Sequence, residues 1–192
     1  MEESEKMKTD YVKDAIGEPA ESEKIYCMIE KFVKDKNGLD IGCGGWKIIG
    51  SQGIDIRPGV ADFVGDVSKG IANVIKYKKK IEYDYIFSSH LLEDFDEPNQ
   101  YKLLLDWIGH VKEGGKLILY VPQSGVYAGT NVAHKREFKK GDLEAMYRNL
   151  DLKITDLWYE SVADGNGYSI LIIGEKPEGW KSKDFFYLKK GF

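Results

Sequence analysis

Glycines and carboxylates at the ends of three predicted strands are the residues best suited to chemistry. The turn Gly42-Cys43-Gly44-Gly45 directly follows an apolar run, and its missing side chains let backbone N–H groups approach a ligand closely. Asp55 ends the next run, where a carboxylate can accept hydrogen bonds from both hydroxyls of a ribose. Asp66 follows the third run, where it is placed to accept a hydrogen bond from an adenine amino group. Together these strand ends predict an adenosine pocket.

A dinucleotide site is the alternative that these glycines raise. Its fingerprint is G-x-G-x-x-G, with an acidic residue roughly 20 positions further on. Here Lys47 occupies the position of the third glycine, and Asp55 follows Gly44 by only 11 residues. Asp40, just before the turn, would repel a pyrophosphate but attract a cationic amino group. S-adenosylmethionine carries such an amino group and no phosphate, so these residues favour it over NAD.

Alternating short strands and helices must position these residues. The apolar periodicity predicts strands at 39–41, 53–56, 61–64, 83–88 and 116–121, and helices at 22–35, about 69–79 and about 97–111. Parallel strands need crossovers of roughly a dozen residues, which these helices supply. The interval 42–53 has room for only a turn or so of helix, so the first crossover is expected to be short or irregular.

The pattern changes in the last third of the chain. A loop at 122–138 and a helix at about 140–150 precede two further strands at 151–160 and 167–174. Between these strands lies Asp164-Gly165-Asn166-Gly167, a turn sequence typical of an antiparallel hairpin. We therefore predict an α/β fold, a mostly parallel sheet covered by helices on both faces and completed by an antiparallel C-terminal hairpin.

Composition and charge limit the class of protein. A chain of 192 residues with 42% hydrophobic residues is long enough for one domain with its own core. A net charge of -4 gives no electrostatic reason to expect a nucleic-acid partner. The two cysteines, Cys27 and Cys43, agree with a reduced compartment, and the start MEESEKMKTD lacks export features, so a cytoplasmic location without membrane insertion is expected. No His/Cys/carboxylate cluster has metal-ligand spacing, and no metal is predicted.

The ordered segments resemble class I, Rossmann-like S-adenosylmethionine-dependent methyltransferases. They are LDIGCGGWK (39–47), GIDIRPG (53–59), DFVGDVSKG (62–70), YDYIFSSHLLEDF (83–95) and WIGHVKEGGKLILYVP (107–122), within a resemblance that covers about 38–175. Their order and spacing are similar to those of the small single-domain enzymes of sugar and polysaccharide biosynthesis. The resemblance implies a seven-stranded sheet in a three-layer sandwich and S-adenosyl-L-methionine as cofactor. The predicted cofactor-binding residues are Asp40, Gly42, Cys43, Gly44, Asp55, Ile56, Asp66, Val67, Ser88 and Ser89.

The function that follows is methyl transfer to a small polar molecule, with oxygen favoured over nitrogen as the acceptor atom and a sugar or related metabolite as the acceptor. His134, in the loop after the fifth strand, is the predicted general base, and His90, after the fourth strand, is the second catalytic candidate. His110 is expected at a surface or helix end. A family histidine is replaced by Asp94, which leaves the role of the Glu93-Asp94 pair open.

Two other functions stay open at this stage. Trp46 stands where the family has its third glycine, so a non-catalytic, S-adenosylmethionine-binding regulatory protein is one alternative. An NAD-dependent oxidoreductase is the other, although Lys47 and Asp40 disfavour it. As domain organisation we expect one domain over 1–192, in which 1–21 is a lid candidate, 38–175 the core and 176–192 a tail; the oligomeric state is not predicted.

Overall fold

The computed structural model describes residues 21–76, 81–124, 134–159 and 169–182, in which strands and helices alternate. The helices are α1 (Glu21–Val33), α2 (Ile71–Ile75), α3 (Glu97–Gly109) and α4 (Lys140–Asn149), with 3₁₀ turns at Val67–Lys69 and Leu92–Asp94. The strands are β1 (Gly38–Ile41), β2 (Gln52–Asp55), β3 (Phe63–Val64), β4 (Tyr83–Ser89), β5 (Val111–Pro122), β6 (Lys153–Tyr159) and β7 (Ser169–Glu175). The proposed lid at 1–21, except its last residue, and most of the tail lie outside the described residues.

All seven strands form one sheet in the order β3-β2-β1-β4-β5-β7-β6. The pairs among β1 to β5 are parallel, whereas β7 runs antiparallel to both of its neighbours, β5 and β6. The predicted sheet, mostly parallel with an antiparallel C-terminal hairpin, is confirmed. The turn Asp164-Gly165-Asn166-Gly167, which led to the hairpin prediction, lies outside the described residues.

Helices cover both faces of the sheet, which confirms the three-layer arrangement. On one face α1 packs Ile25, Ile29 and Val33 against side chains of β4, β5 and β7 such as Phe87 and Ile118. On the other face α2, α3 and α4 form a larger core. Strands buried on both faces lack alternation, and the carboxyl-terminal half of β5 is accordingly buried at every position from 117 to 122.

Two boundaries differ from the sequence prediction for local reasons. The helix predicted at about 69–79 is a 3₁₀ turn followed by the short α2, which ends where Lys76 adopts a left-handed conformation at φ 57°. β5 begins at Val111, which pairs with Tyr83, rather than at residue 116; residues 112–114 are exposed and polar, so the apolar pattern does not reveal this first part of the strand. The first crossover, at 42–51, contains turns and no helix, as expected.

The strand order reverses between β1 and β4, and the crevice at such a point is where open α/β sheets bind ligands. We refer to the carboxyl ends of β1, β2 and β3 as the β1–β3 half. The carboxyl ends of β4 and β5, with the start of β7, form the β4–β7 half. Within the described part of the chain, no helix is long and apolar enough to cross a membrane.

Candidate functional site

The glycine turn after β1 is fastened to the end of β2. The N–H groups of Gly42 and Cys43 both donate to the Ile54 oxygen, at 2.8 and 3.2 Å. Gly42 has φ 72° and Gly44 has φ 57°, the left-handed region that favours glycine. A Cβ on Gly42 would also lie 2.8 Å from the Leu91 side chain. The turn therefore requires glycine both for its conformation and for the close approach of the segment after β4.

Asp55, at the end of β2, points its carboxylate at this turn. One oxygen, Oδ2, accepts from the Gly44 N–H at 2.9 Å, and Oδ1 accepts from the Arg57 N–H at 2.8 Å and from Arg57 Nε at 3.1 Å. Burial alone would raise the pKa of Asp55, but the hydrogen bonds from Arg57 and Gly44 outweigh it and lower the pKa below its usual value. The group is thus a fixed anion at the rim of the crevice.

Asp66 follows β3 and caps the 3₁₀ turn that begins at Val67. Its Oδ1 accepts from the Ser68 N–H at 2.9 Å and from the Ser68 hydroxyl at 2.6 Å. These two hydrogen bonds lower the pKa of the Asp66 carboxyl. The capping bonds hold the carboxylate at the carboxyl end of the sheet, and adenine binding by Asp66 stays a prediction.

Asp40 lies beneath the glycine turn. Its side chain is buried, and Oδ2 accepts from the Ile48 N–H at 2.8 Å. Burial raises the pKa of Asp40 to about 7, against the opposing effects of the Ile48 hydrogen bond and the charge of Lys47. In the structure the hydrogen bond from Ile48 to Asp40 closes the loop from Gly42 to Ile48, and the predicted contact of Asp40 with a cationic amino group stays a prediction.

A cavity of about 130 Å³ opens between these residues. It is lined by the predicted residues Gly42, Asp55, Ile56, Asp66 and Val67, together with Ile54, Gly65, Leu91 and Phe95. Ligand pockets usually measure about 300 to 1,000 Å³, so this cavity suits one flat, largely apolar part of a larger ligand. The apolar walls and the two carboxylates at the edge fit a purine nucleoside better than a phosphate.

The remaining predicted cofactor residues surround the cavity without lining it. Gly44 contributes its N–H to Asp55. Cys43 is buried, and burial raises its thiol pKa to about 12, which removes it as a nucleophile. Ser88 is buried and its hydroxyl donates to the Ile41 oxygen at 2.9 Å, joining β4 to β1, while Ser89 ends β4 half-buried.

In the β4–β7 half, the structure brings the two catalytic candidates to one carboxyl group. His90 Nδ1 lies 3.7 Å from Glu93 Oε1, and His134 Nε2 lies 3.8 Å from the same oxygen. The His90 Nε2 atom is 2.9 Å from the Ser169 hydroxyl at the start of β7. His110 lies at the end of α3, with Nδ1 2.8 Å from the Asp106 oxygen, so it takes the helix-end position that was expected.

Sequence reasoning did not select Glu93, Leu91 or Phe95. Glu93 stands three residues after His90, a spacing that places both on one side of a short turn, and this was the available signal. Leu91 and Phe95 face the cavity from the segment after β4. Among the described residues no group of three or more His, Cys, Asp or Glu side chains is arranged to hold a metal ion.

No family model and no curated protein matches this sequence. Solved structures do match its fold. An S-adenosylmethionine-dependent methyltransferase from Archaeoglobus fulgidus is similar with a TM-score of 0.62 and 16% identity over 81% of this chain and 92% of its own. A putative methyltransferase, solved in complex with the Trm112 methyltransferase activator of Haloferax volcanii, is similar with a TM-score of 0.60 and 12% identity. The match covers 82% of this chain and 92% of that one.

An O-methyltransferase family protein from Burkholderia thailandensis is also similar, with a TM-score of 0.57 and 14% identity over 82% of this chain and 57% of its own. At these identities the likeness concerns the fold. The chain has the seven-stranded α/β fold of S-adenosylmethionine-dependent methyltransferases.

Proposed function

We propose that this protein is an S-adenosylmethionine-dependent methyltransferase that acts on a small polar molecule. The observation that carries the proposal is the cavity at the sheet's reversal point, with the glycine turn on one side and the carboxylates of Asp55 and Asp66 at its edge. The fold similarity to enzymes of this class supports the same reaction.

The residues around the cavity fit S-adenosylmethionine. Asp55 would bind the ribose hydroxyls and Asp66 the adenine amino group, because carboxylates accept hydrogen bonds from both. Ile56 and Val67 would contact the faces of the base. Asp40 and Asp55 make the turn a poor place for a pyrophosphate and a good one for a cationic amino group. When bound, this cofactor supplies a methyl group activated by its sulfonium centre.

We infer an oxygen acceptor, in a sugar or related hydroxylated metabolite. The support is chemical: the β4–β7 half presents His90 and His134, whose imidazoles can take a proton from a hydroxyl. The Burkholderia thailandensis neighbour is itself described as an O-methyltransferase family protein. His134 would serve as the base, with His90 as the second candidate.

The same proposal includes a reducing, cytoplasmic setting and no nucleic-acid partner. Cys27 and Cys43 are both free thiols, as is usual in a reduced compartment. The net charge of -4 gives no global electrostatic attraction to a phosphate backbone.

Calorimetric titration with S-adenosylmethionine, S-adenosylhomocysteine and NAD tests the proposal. We expect micromolar binding of the first two and a loss of about 100-fold in Asp55→Ala, since two charged hydrogen bonds are worth roughly 3 kcal/mol together. Asp156→Ala is the matched control, because Asp156 is a partly exposed carboxylate on β6 whose ion-pair partner is Lys31 at 3.5 Å.

Both proteins are checked for folding by circular dichroism before titration. A preference for NAD, or no binding of either adenosyl compound by the wild-type protein, would overturn the proposal. Equal losses in Asp55→Ala and Asp156→Ala would contradict the assignment of the ribose site.

A further inference from the structure

Five polar side chains in the β4–β7 half form one continuous series. From the sheet outwards they are Ser169, His90, Glu93, His134 and Glu137. The first step, from the Ser169 hydroxyl to His90 Nε2, measures 2.9 Å. The three steps between imidazole and carboxyl groups measure 3.7, 3.8 and 4.0 Å, within the range of ion pairs. The cavity residue Leu91 lies between His90 and Glu93 in sequence, which puts the series beside the cofactor cavity.

Glu93 is the unusual member of the series. Its side chain is 1% exposed, and neither carboxyl oxygen has a hydrogen-bond partner among the described residues. A buried carboxylate without donors is costly, so a proton is retained at this position. The neighbouring histidines are the groups with which that proton can be exchanged, because both imidazoles face the same oxygen, Oε1.

The backbone fixes the approach of His134 to Glu93. The Glu93 carbonyl oxygen accepts from the N–H groups of Lys135 and Arg136, at 2.7 and 3.1 Å. Arg136 is directed away from the carboxyl group, since its Nη1 pairs with Glu97 at 2.8 Å. The segment that carries His134 is therefore attached directly to the turn that carries Glu93.

His90 is held from the other side. It adopts a left-handed conformation with φ 48°, which is costly for a residue other than glycine. Its N–H donates to the Tyr120 oxygen at 2.8 Å, and its ring packs edge-on against Tyr120 with 5.4 Å between ring centroids. Because the Nε2 atom of His90 is hydrogen-bonded to the Ser169 hydroxyl, its other ring nitrogen, Nδ1, is the one that faces Glu93. Ser169 is buried, so it serves as an anchor for the imidazole and not as a nucleophile.

We propose that Glu93 is a positioning residue that holds one proton jointly with His90 and His134, and that this cluster accepts the proton of the acceptor hydroxyl. The proposal rests on the proposed methyl transfer. In that reaction an oxygen–carbon bond forms, the carbon–sulfur bond of the cofactor breaks with its electron pair staying on sulfur, and the hydroxyl proton leaves. His134 receives it, and the proton already held by Glu93 passes to His90. Glu93 is then a carboxylate between the two rings and stabilises the imidazolium of His134.

Other charged groups around the cluster define its environment. Asp94 is on the same 3₁₀ turn; burial raises its pKa, and His134 and Lys135 act against that rise. Glu137 faces His134 Nδ1 at 4.0 Å from the following segment. From β7 the group in contact with the cluster is the uncharged hydroxyl of Ser169.

Nitrogen-detected NMR of the histidine rings tests the cluster without an acceptor. With three histidines in the chain, ¹⁵N-histidine spectra recorded from pH 5 to 9 with S-adenosylhomocysteine present resolve each ring. We expect the ring signals of both His90 and His134 to show an inflection near pH 8, where the Glu93 carboxyl ionises. Glu93→Gln should abolish this inflection in both rings.

Two controls belong to this experiment. His110 is the internal control, because its ring contacts Asp106 and lies outside the series; its signals should be the same in all variants. Asp94→Asn is the matched variant, since Asp94 shares the 3₁₀ turn and acts on Glu93 and His134 through its charge. It should retain the inflection in both rings at a lower pH, because the charge of Asp94 raises the pKa of Glu93. If Glu93→Gln leaves both ring titrations unchanged, or alters one ring alone, the shared proton is disproved.

A second measurement keeps the proposal testable if Glu93→Gln does not fold. In ¹³C-glutamate-labelled protein, the midpoint of the Glu93 carboxyl titration should move by at least half a pH unit in His90→Asn and in His134→Asn. A Glu93 midpoint that stays unchanged in one variant or in both would overturn the proposal. Absence of S-adenosylhomocysteine binding would instead contradict the proposed function, because the coupling between Glu93 and the two rings is measurable without the ligand.

Discussion

The two halves of the sheet's carboxyl edge treat their carboxyl groups in opposite ways. In the β1–β3 half, Asp55 accepts backbone N–H groups from Gly44 and Arg57, Asp66 accepts one from Ser68, and the pKa of each carboxyl lies below its usual value. Asp40, buried beneath the turn with its pKa raised to about 7, stands apart from these two. In the β4–β7 half, Glu93 is more deeply buried than Asp66, and neither of its carboxyl oxygens has a hydrogen-bond partner among the described residues.

This difference has a chemical meaning. Backbone donors fix a carboxylate in its charged form and in one orientation, which suits a group that binds a ligand through hydrogen bonds. A carboxyl group next to two imidazoles, with no fixed donors, can change its protonation at little structural cost, which suits a group that takes part in proton transfer. The edge of one sheet thus contains a rigid binding region and a titratable region.

Replacing Glu93 by Gln should give the largest effect on stability. Burial raises the pKa of Glu93 from its ordinary 4.5 to about 8. Between these values the folded protein holds a proton that the unfolded chain has lost, so the wild-type protein loses stability as pH rises from about 4.5 to about 8. The neutral Gln variant lacks this loss. Urea unfolding should show equal stability near pH 5 and a gain for Glu93→Gln on the order of 3 kcal/mol at pH 8 to 9.

Glu178→Gln is the control for this comparison, because Glu178 is exposed and should give curves parallel to the wild type at every pH. A Glu93→Gln difference that does not change with pH would mean that the carboxyl group is ionised in the folded protein, and the contrast between the two halves would disappear.

The glycine turn of the β1–β3 half should give the next largest effect. Gly42→Ala introduces a Cβ in the left-handed region at φ 72° and 2.8 Å from Leu91, so we expect a loss of about 2 kcal/mol in unfolding free energy. Gly59→Ala is matched, with φ 84° and open space around it, and should cost about 1 kcal/mol through strain alone. Thermal and urea unfolding measure both. Equal costs would show that the contact with Leu91 does not restrict the turn.

Asp66→Ala should have a moderate effect, because it removes the cap of the 3₁₀ turn at Val67–Lys69. We expect a loss of about 1 kcal/mol in stability at pH 7, and about tenfold weaker S-adenosylhomocysteine binding by calorimetry. Asp66→Asn preserves an acceptor for the Ser68 N–H and should retain the stability. If both variants bind as tightly as the wild type, Asp66 is a cap without a role in the ligand site.

The β1–β3 half was predictable because its contacts are local in sequence. Asp55 bonds Arg57 two residues away and Gly44 eleven residues away, and the glycines and strand ends that create these contacts can be read directly. The sheet was predictable for a similar reason, since apolar runs and the spacing between them determine parallel strands and crossovers. A local effect also explains why the helix predicted at about 69–79 is shorter in the structure. Lys76 adopts a left-handed conformation and ends α2, and apolar periodicity does not reveal such a conformation.

The β4–β7 half depends on contacts that periodicity cannot supply. His90 meets Ser169 across 79 residues, because β7 inserts between β5 and β6 and brings its first residue to the carboxyl edge. Glu93 meets His134 because two backbone N–H groups of the segment 135–136 bond the Glu93 oxygen. The histidines were selected for their chemistry, but their common partner follows from packing and was left undecided.

Arg57→Ala should produce the smallest effect, and it tests whether the rigidity of the β1–β3 half comes from the backbone. The Arg57 side chain is 61% exposed and pairs with Asp55 at 3.1 Å, and such exposed pairs contribute about 0.2 to 1 kcal/mol. Alanine retains the N–H that donates to Asp55 at 2.8 Å. We therefore expect a stability loss below about 0.5 kcal/mol and S-adenosylhomocysteine affinity within threefold of the wild type. A tenfold loss of S-adenosylhomocysteine affinity in calorimetry, at unchanged stability, would show that the guanidinium itself contacts the ligand. Ligand binding beside Asp55 would then depend on a neighbouring side chain, as the protonation of Glu93 depends on His90 and His134.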